Sequence, residues 1–321
     1  MRSLAIAALL TTAPGLAQQS PSAADAEVHA LKVRGDVYML VGAGGNITVS
    51  VTNGGVLLVD TGLAQNSEKV LAAIKTFTDQ PVRYIINTHA HLDHTGGNEK
   101  IALSGSTLAG GNFAATIQDA ASGAEIFAHE NVLLRMGKPP ATGRAAIPFR
   151  ALPTDTYHSP EMRLSALYHG EPIRIIHQPA AHTDGDSIVV FTRTDVISTG
   201  DLFTTTSYPF VDLERGGNVQ GIIDGLNRLL DLALPYFRSE GGTMIIPGHG
   251  RLCDMADVAY YRDMVTIIRD RVEDQIKRGK TLEQVKDAKL TLDYDPRYGN
   301  PDRFVEGVYR SLSGGRLSTD R

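Results

Sequence analysis

Between Asn87 and Gly97 the chain reads NTHAHLDHTGG, which sets His89, His91, Asp93 and His94 within six positions. Four metal-capable side chains packed this closely constrain the fold, because two neighbouring ions need further ligands delivered from distant parts of the chain. Just upstream, VRYIIN (82–87) reads as a buried strand running straight into the motif, and Gly96–Gly97 turn the chain towards a helix. The four polar residues therefore fall on a loop at a strand's C-terminal end. On an extended segment residues i and i+2 project to the same side, so His89 and His91 can grip one ion together. Asp93 and His94 follow where the chain turns and are directed away from that pair, so one loop offers ligands to two ions.

The complement has to come from other strand ends, and three segments supply it. AAHTDGDSIVVF puts His182 just before a strand, VISTGD puts Asp201 just after one, and IIPGHG puts His249 just after another. Each has a glycine close by, which lets the backbone bend near an ion. A histidine beside a strand is in most proteins a satisfied structural residue, and TGD alone is an ordinary turn. The three gain weight jointly because they supply the ligands that the 87–97 loop lacks. His29, His158, His169 and His177 have no such pattern and read as structural; Cys253, the single cysteine, reads as a buried small hydrophobe. Asp184, Asp186, Tyr208 and Lys100 carry no assigned role.

Around this set, strands and helices interleave in both halves. Ile47, Val49 and Val51 alternate with Thr48, Ser50 and Thr52 up to Asn53–Gly54, a hairpin signal, and GVLLVD follows as the next strand. SEKVLAAIKTF (67–77) places Val70, Leu71, Ile74 and Phe77 on one helical face. Further strands are expected near 162–168, 171–177, 187–192, 195–199 and 243–247, helices near 219–232 and 256–278, and two short helices within 280–321. The segment 137–160 holds five prolines and reads as a long loop. No Ser- or Pro-rich linker divides the halves, so the pattern implies one domain of two face-to-face sheets with helices outside. A chain of 321 residues, 42% of them hydrophobic, is long enough to bury such a core. Its formal charge of −5, with no basic run, argues against a nucleic-acid partner. Residues 1–17 have Arg2, an apolar stretch from Leu4 to Leu10, and small Gly15 and Ala17, the pattern of a secretory signal cleaved after Ala17, so the expected location is periplasmic or secreted. No membrane span is expected, since no later stretch offers roughly 20 apolar residues.

The H-x-H-x-D-H motif at 89–94, followed by His182, Asp201 and the Gly248-His249-Gly250 turn, closely resembles the metallo-β-lactamase superfamily of metal-dependent hydrolases over about residues 28–278. The resemblance implies an α/β fold, a four-layer αββα sandwich, with 279–321 as a helical tail packed on it. It implies two Zn2+ per chain: His89, His91 and His182 on the first, Asp93, His94 and His249 on the second, and Asp201 bridging them. Such a pair of ions can lower the pKa of a shared water towards about 7 and so supply hydroxide at neutral pH. Asp93 would orient that nucleophile and carry a proton, the catalytic role. Asp60, in LLVDTG, would orient the histidine loop from behind, and His129 and Glu130, in AHEN, are candidates to line the pocket.

The implied activity is hydrolysis of an ester, thioester, lactone or amide-like bond in a small-molecule substrate. A carboxylate bridge is more similar to glyoxalase II and the broader hydrolases than to the zinc β-lactamases, yet 280–321 shows no basic segment of the kind glyoxalase II carries for glutathione. Flavodiiron oxidoreductases of this fold have Glu where His91 stands, together with a flavodoxin domain that this sequence lacks. The alternatives are a β-lactamase acting on a bicyclic lactam and a non-catalytic periplasmic metal-binding or relay protein. Ligand types do not choose among substrates, because loop shape does; manganese or iron would also suit imidazole and carboxylate ligands.

Overall fold

The structure, a computed structural model, describes residues 27–106, 123–139, 145–234 and 241–314. The expected signal segment 1–17 lies outside the described residues. Strands β1 (His29–Arg34), β2 (Val37–Val41), β3 (Ile47–Thr52), β4 (Gly55–Val59), β5 (Val82–Ile86), β6 (Glu125–His129) and β7 (Asp155–Tyr157) form one sheet in chain order. It is antiparallel from β1 to β4 and parallel from β4 to β7. The second sheet runs β12 (Met244–Ile246), β11 (Val196–Ser198), β10 (Ser187–Phe191), β9 (Ile173–His177) and β8 (Glu161–Leu164), parallel only between β11 and β12.

The alternation of side chains across each strand explains the layering. In β4, Leu57 and Val59 face the second sheet and pack with Tyr84, Ile86, Phe127, Ile175, Val189 and Phe191 in the central core. Val56 and Leu58 point the other way and join Val70, Ile74 and Ile101 under helices α1 (Ser67–Lys75) and α3 (Asn98–Ser104). Between those two lies the one-turn helix α2 (Leu92–Thr95). Helices α4 (Glu130–Met136) and α5 (Ala166–His169) are short connectors. On the far side, Ile176, Ile188, Ile197 and Ile245 of the second sheet pack under α6 (Val219–Leu232) and α7 (Met255–Lys277). Completing that outer layer are α8 (Leu282–Asp287), α9 (Asp295–Tyr298) and α10 (Asp302–Leu312), whose Phe304, Val305 and Val308 join the same core. Two sheets between two helical layers make the αββα sandwich, with central strands such as β4 and β11 buried along their whole length.

Three local expectations are corrected. The strand placed at 162–168 stops at Leu164, because the Ser165 hydroxyl accepts from Leu167 N (3.3 Å) and starts α5. The loop at 137–160 contains β7, which joins the parallel edge of the first sheet beside β6. The 280–321 segment holds three described helices where two were expected. Among the described residues no helix is long and apolar enough to cross a membrane.

Candidate metal centre

The element ends carrying the seven candidate ligands converge. β5 hands over to the 87–97 loop, the β9–β10 connection carries His182, Asp201 follows β11 and His249 follows β12. One ligand atom each from His89, His91, His182 and Asp201 lie within 4.8 Å of one another, and the same holds for Asp93, His94, Asp201 and His249. Asp201 belongs to both groups. Close approach is possible because position 248 is glycine: a Cβ there would strike the Asp201 carboxylate and the backbone of Gly200.

Hydrogen bonds on the outer side of the rings fix which nitrogen faces inward. Asp60, at φ +65° after β4, tucks its carboxylate beneath the loop. Its Oδ1 accepts from Thr88 N (2.8 Å) and its Oδ2 from the Thr88 hydroxyl (2.7 Å) and His94 Nδ1 (2.8 Å). Since the hydroxyl's only proton goes to Asp60, the Thr88 oxygen accepts from His89 Nδ1, 3.0 Å away. His91 Nε2 donates to Asp212 Oδ2 (2.8 Å), and His182 Nδ1 donates to the Phe210 carbonyl (2.6 Å). Each of these four rings thus commits one N–H to an outer acceptor and turns its other nitrogen inward.

Those inward atoms crowd together. His91 Nδ1 lies 3.1 Å from His89 Nε2 and 2.9 Å from His182 Nε2, and His94 Nε2 lies 3.3 Å from His249 Nε2. Asp201 Oδ1 is buried without a hydrogen bond although it sits 3.1 Å from His94 Nε2. In the first group, bare nitrogens facing one another are unfavourable unless a cation lies among them, and the orphaned carboxylate oxygen of Asp201 asks for the same. The donor set, imidazole plus carboxylate, fits divalent zinc.

Electrostatics separates the two groups. Burial drives His89 well below the usual imidazole range and His182 down to about 4, which keeps both rings neutral. At His94 burial is outweighed by Asp201 and Asp60, which hold it well above that range. At His249 burial is likewise outweighed, and Asp201 and Asp93 push it up to about 9. Without ions, protons on the second group balance the carboxylates at the place where a divalent ion would sit.

Asp93 is about a third exposed and borders a cleft of about 780 Å3 above the cluster, with Leu92, Asp201, Phe210, Arg215 and Arg303 also on its walls. His129 and Glu130 do not line it. His129 is buried and stacks on His177 with ring centroids 3.6 Å apart, and its Nδ1 accepts from Asn131 N. Asp186 is a buried anchor: its carboxylate accepts from Thr183 N (2.9 Å) and the Thr183 hydroxyl (2.6 Å), bracing the turn beside His182, and burial raises it to about 7. Asp212 was not singled out in the sequence. Its partner His91 is 121 positions away, and within VDLERGGN it reads as an ordinary turn residue.

The sequence model of the family described as Metallo-beta-lactamase superfamily matches residues 40–110, the stretch that includes the 87–97 loop. A linear primary-alkylsulfatase of Pseudomonas sp. is 22% identical over 295 residues, covering 81% of this chain and 54% of that protein. Among solved structures, a stereoselective inverting sec-alkylsulfatase from Pseudomonas sp. matches with a TM-score of 0.62 at 15% identity, covering 90% of this chain and 51% of that one. A metallo-β-lactamase from Pontibacter korlensis matches with a TM-score of 0.53 at 16% identity, covering 75% of this chain and 99% of its own. The chain therefore spans about half the length of the alkylsulfatases it matches.

Proposed function

We propose that this chain is a member of the metallo-β-lactamase superfamily, whose sequence model matches residues 40–110, and that it is a two-zinc hydrolase of an ester, thioester, lactone or amide-like bond in a small molecule. The observation that carries the reading is the set of four imidazoles whose outer nitrogens are all occupied, so that their other nitrogens converge on two places joined by Asp201. His89, His91 and His182 would hold one ion, Asp93, His94 and His249 the other, with Asp201 shared. Ions bound there would polarise the scissile group and lower the pKa of a water to near neutrality, which is why no serine or cysteine nucleophile is needed.

The chain's own residues do the rest. Asp93 faces the cleft, where its carboxylate can accept a proton from water and return it to the leaving group. Asp60 and Asp212 hold the rings of His94 and His91 from behind, so the ligands are fixed before substrate arrives. Leu92 and Phe210 give part of the cleft wall an apolar surface.

Elemental analysis of the purified protein should find two zinc ions per chain, and a panel of lactam, lactone, thioester and sulfate-ester substrates should reveal turnover that a chelator abolishes. Stable saturation at one ion would sink the two-ion reading. Two ions without turnover of any panel member would point to a binding or relay protein. A sulfate ester is a second reading of the substrate, favoured because the alkylsulfatase structure covers 90% of the chain against 75% for the lactamase. We further propose export, with the mature chain beginning at Gln18; mass spectrometry of the periplasmic fraction tests it, and finding only full-length cytoplasmic protein would overturn it.

A further inference from the structure

We propose that Arg303 reads an anionic substituent of the substrate, a carboxylate or another oxyanion remote from the bond being cleaved. The inference rests on the hydrolase reading above and adds the chemical class of the substrate. It starts from the charges on the cleft wall. Three arginines line it, and two of them are already engaged: Arg215 pairs with Asp212 at 2.7 Å and Arg310 with Glu306 at 2.8 Å. Arg303 differs. Among the described residues no carboxylate lies within ion-pair distance of it, and its contact is the ring of Phe210, with Cζ 3.5 Å from the ring centroid.

That contact fixes where the charge points. A guanidinium lying over an aromatic ring offers its π-face to the ring and keeps its N–H donors free around the edge, the geometry that receives an oxyanion through two parallel hydrogen bonds. Phe210 is itself tied to the cluster. Its ring lies 5.9 Å from that of His91 and 5.6 Å from that of His182, and its carbonyl accepts from His182. Arg303 therefore sits one aromatic ring away from the first ligand group, on the wall that a substrate must face. Arg303 is the second residue of α10, whose Phe304, Val305 and Val308 are locked in the outer core, so the arginine springs from a rigid base. Glu214 also lines the cleft, has no ion pair among the described residues, and would repel the same anion.

The test uses zinc-loaded protein and three thioesters of one thiol with acyl groups of similar size: succinyl, 3-sulfopropionyl and butyryl. Wild type should favour the two anionic substrates over butyryl, the two separating a planar carboxylate from a tetrahedral oxyanion. Arg303→Ala should lower kcat/KM for the favoured anion by roughly tenfold or more, mainly through KM, while butyryl turnover and zinc content stay unchanged. Arg303→Lys should recover part of the loss, and Glu214→Gln should raise the anion preference. Equal losses on all three substrates, or none, would overturn the proposal. Calorimetric binding of succinate, weakened at least about fivefold by Arg303→Ala, reads the same site without turnover. Inactivity towards every thioester together with that loss of succinate binding would defeat the thioesterase reading and uphold this one; unchanged succinate binding would overturn it.

Discussion

At the scale of single residues, the centre depends on groups that fix protons as much as on the ligands. Asp201→Ala should cost one of the two ions and lower hydrolysis about 100-fold or more, because a shared carboxylate offsets repulsion between two dications. Circular dichroism should show the fold retained; two retained ions and a near-normal rate would mean that Asp201 is no bridge. Asp60→Asn puts an NH2 group where two donors now meet, so zinc affinity should fall about 10- to 100-fold with all proposed ligands intact. The raised His249 gives a pH dependence with a definite sign. Its proton adds stability to the ion-free protein below the unfolded value of about 6.5, and that contribution is lost as pH rises through about 9. An ion must displace the same proton, so zinc affinity should climb as pH rises towards about 9. A competition titration that found affinity independent of pH would contradict it. The candidate ligands were legible in the sequence because four stand together and the other three flank strands beside glycines. Asp212, Phe210 and Arg303 were not, since their meaning lies in partners brought near only by folding.

At the scale of elements, helix α6 was legible to the residue, with buried Val219, Ile222, Ile223, Leu226 and Leu229 on one face. Strand β7 was not, because DTY among prolines has no period to read and gains its place only from pairing with β6. The helix has a tight seam against the His182 loop: a Cβ on Gly221 would collide with the carbonyl of Ala180. Gly221→Ala should therefore destabilise by about 1–3 kcal/mol in urea unfolding, despite alanine's better helix propensity. It should also weaken zinc binding, since the displaced backbone leads straight to His182. A stable variant with unchanged zinc affinity would show that the seam has slack.

At the scale of the whole molecule, the 87–97 loop belongs to the first sheet, while His182, Asp201 and His249 belong to the second. Ions held between them would tie the two sheets together at one rim. Zinc at about 100 times its dissociation constant should add about 2.7 kcal/mol per independent site, so chelation should lower the melting temperature by several degrees and zinc should restore it. An unchanged melting temperature would mean that the folded chain does not hold the ions. The two-sheet plan was legible from interleaved strand and helix patterns, whereas the positions of the tail helices on the outer core were set by contacts that no local pattern announces. The separation of the ligands along the chain also imposes an order in time. His91 and His182 are 91 positions apart, and His94 and His249 are 155 apart. At roughly 5–20 residues per second, a growing chain shows His89, His91 and His94 for roughly 8–30 s before His249 is made. Were two ions held as proposed, the first could settle once Asp201 has emerged, whereas the second would have to wait for His249 and nearly the whole sandwich, so the centre would fill in sequence.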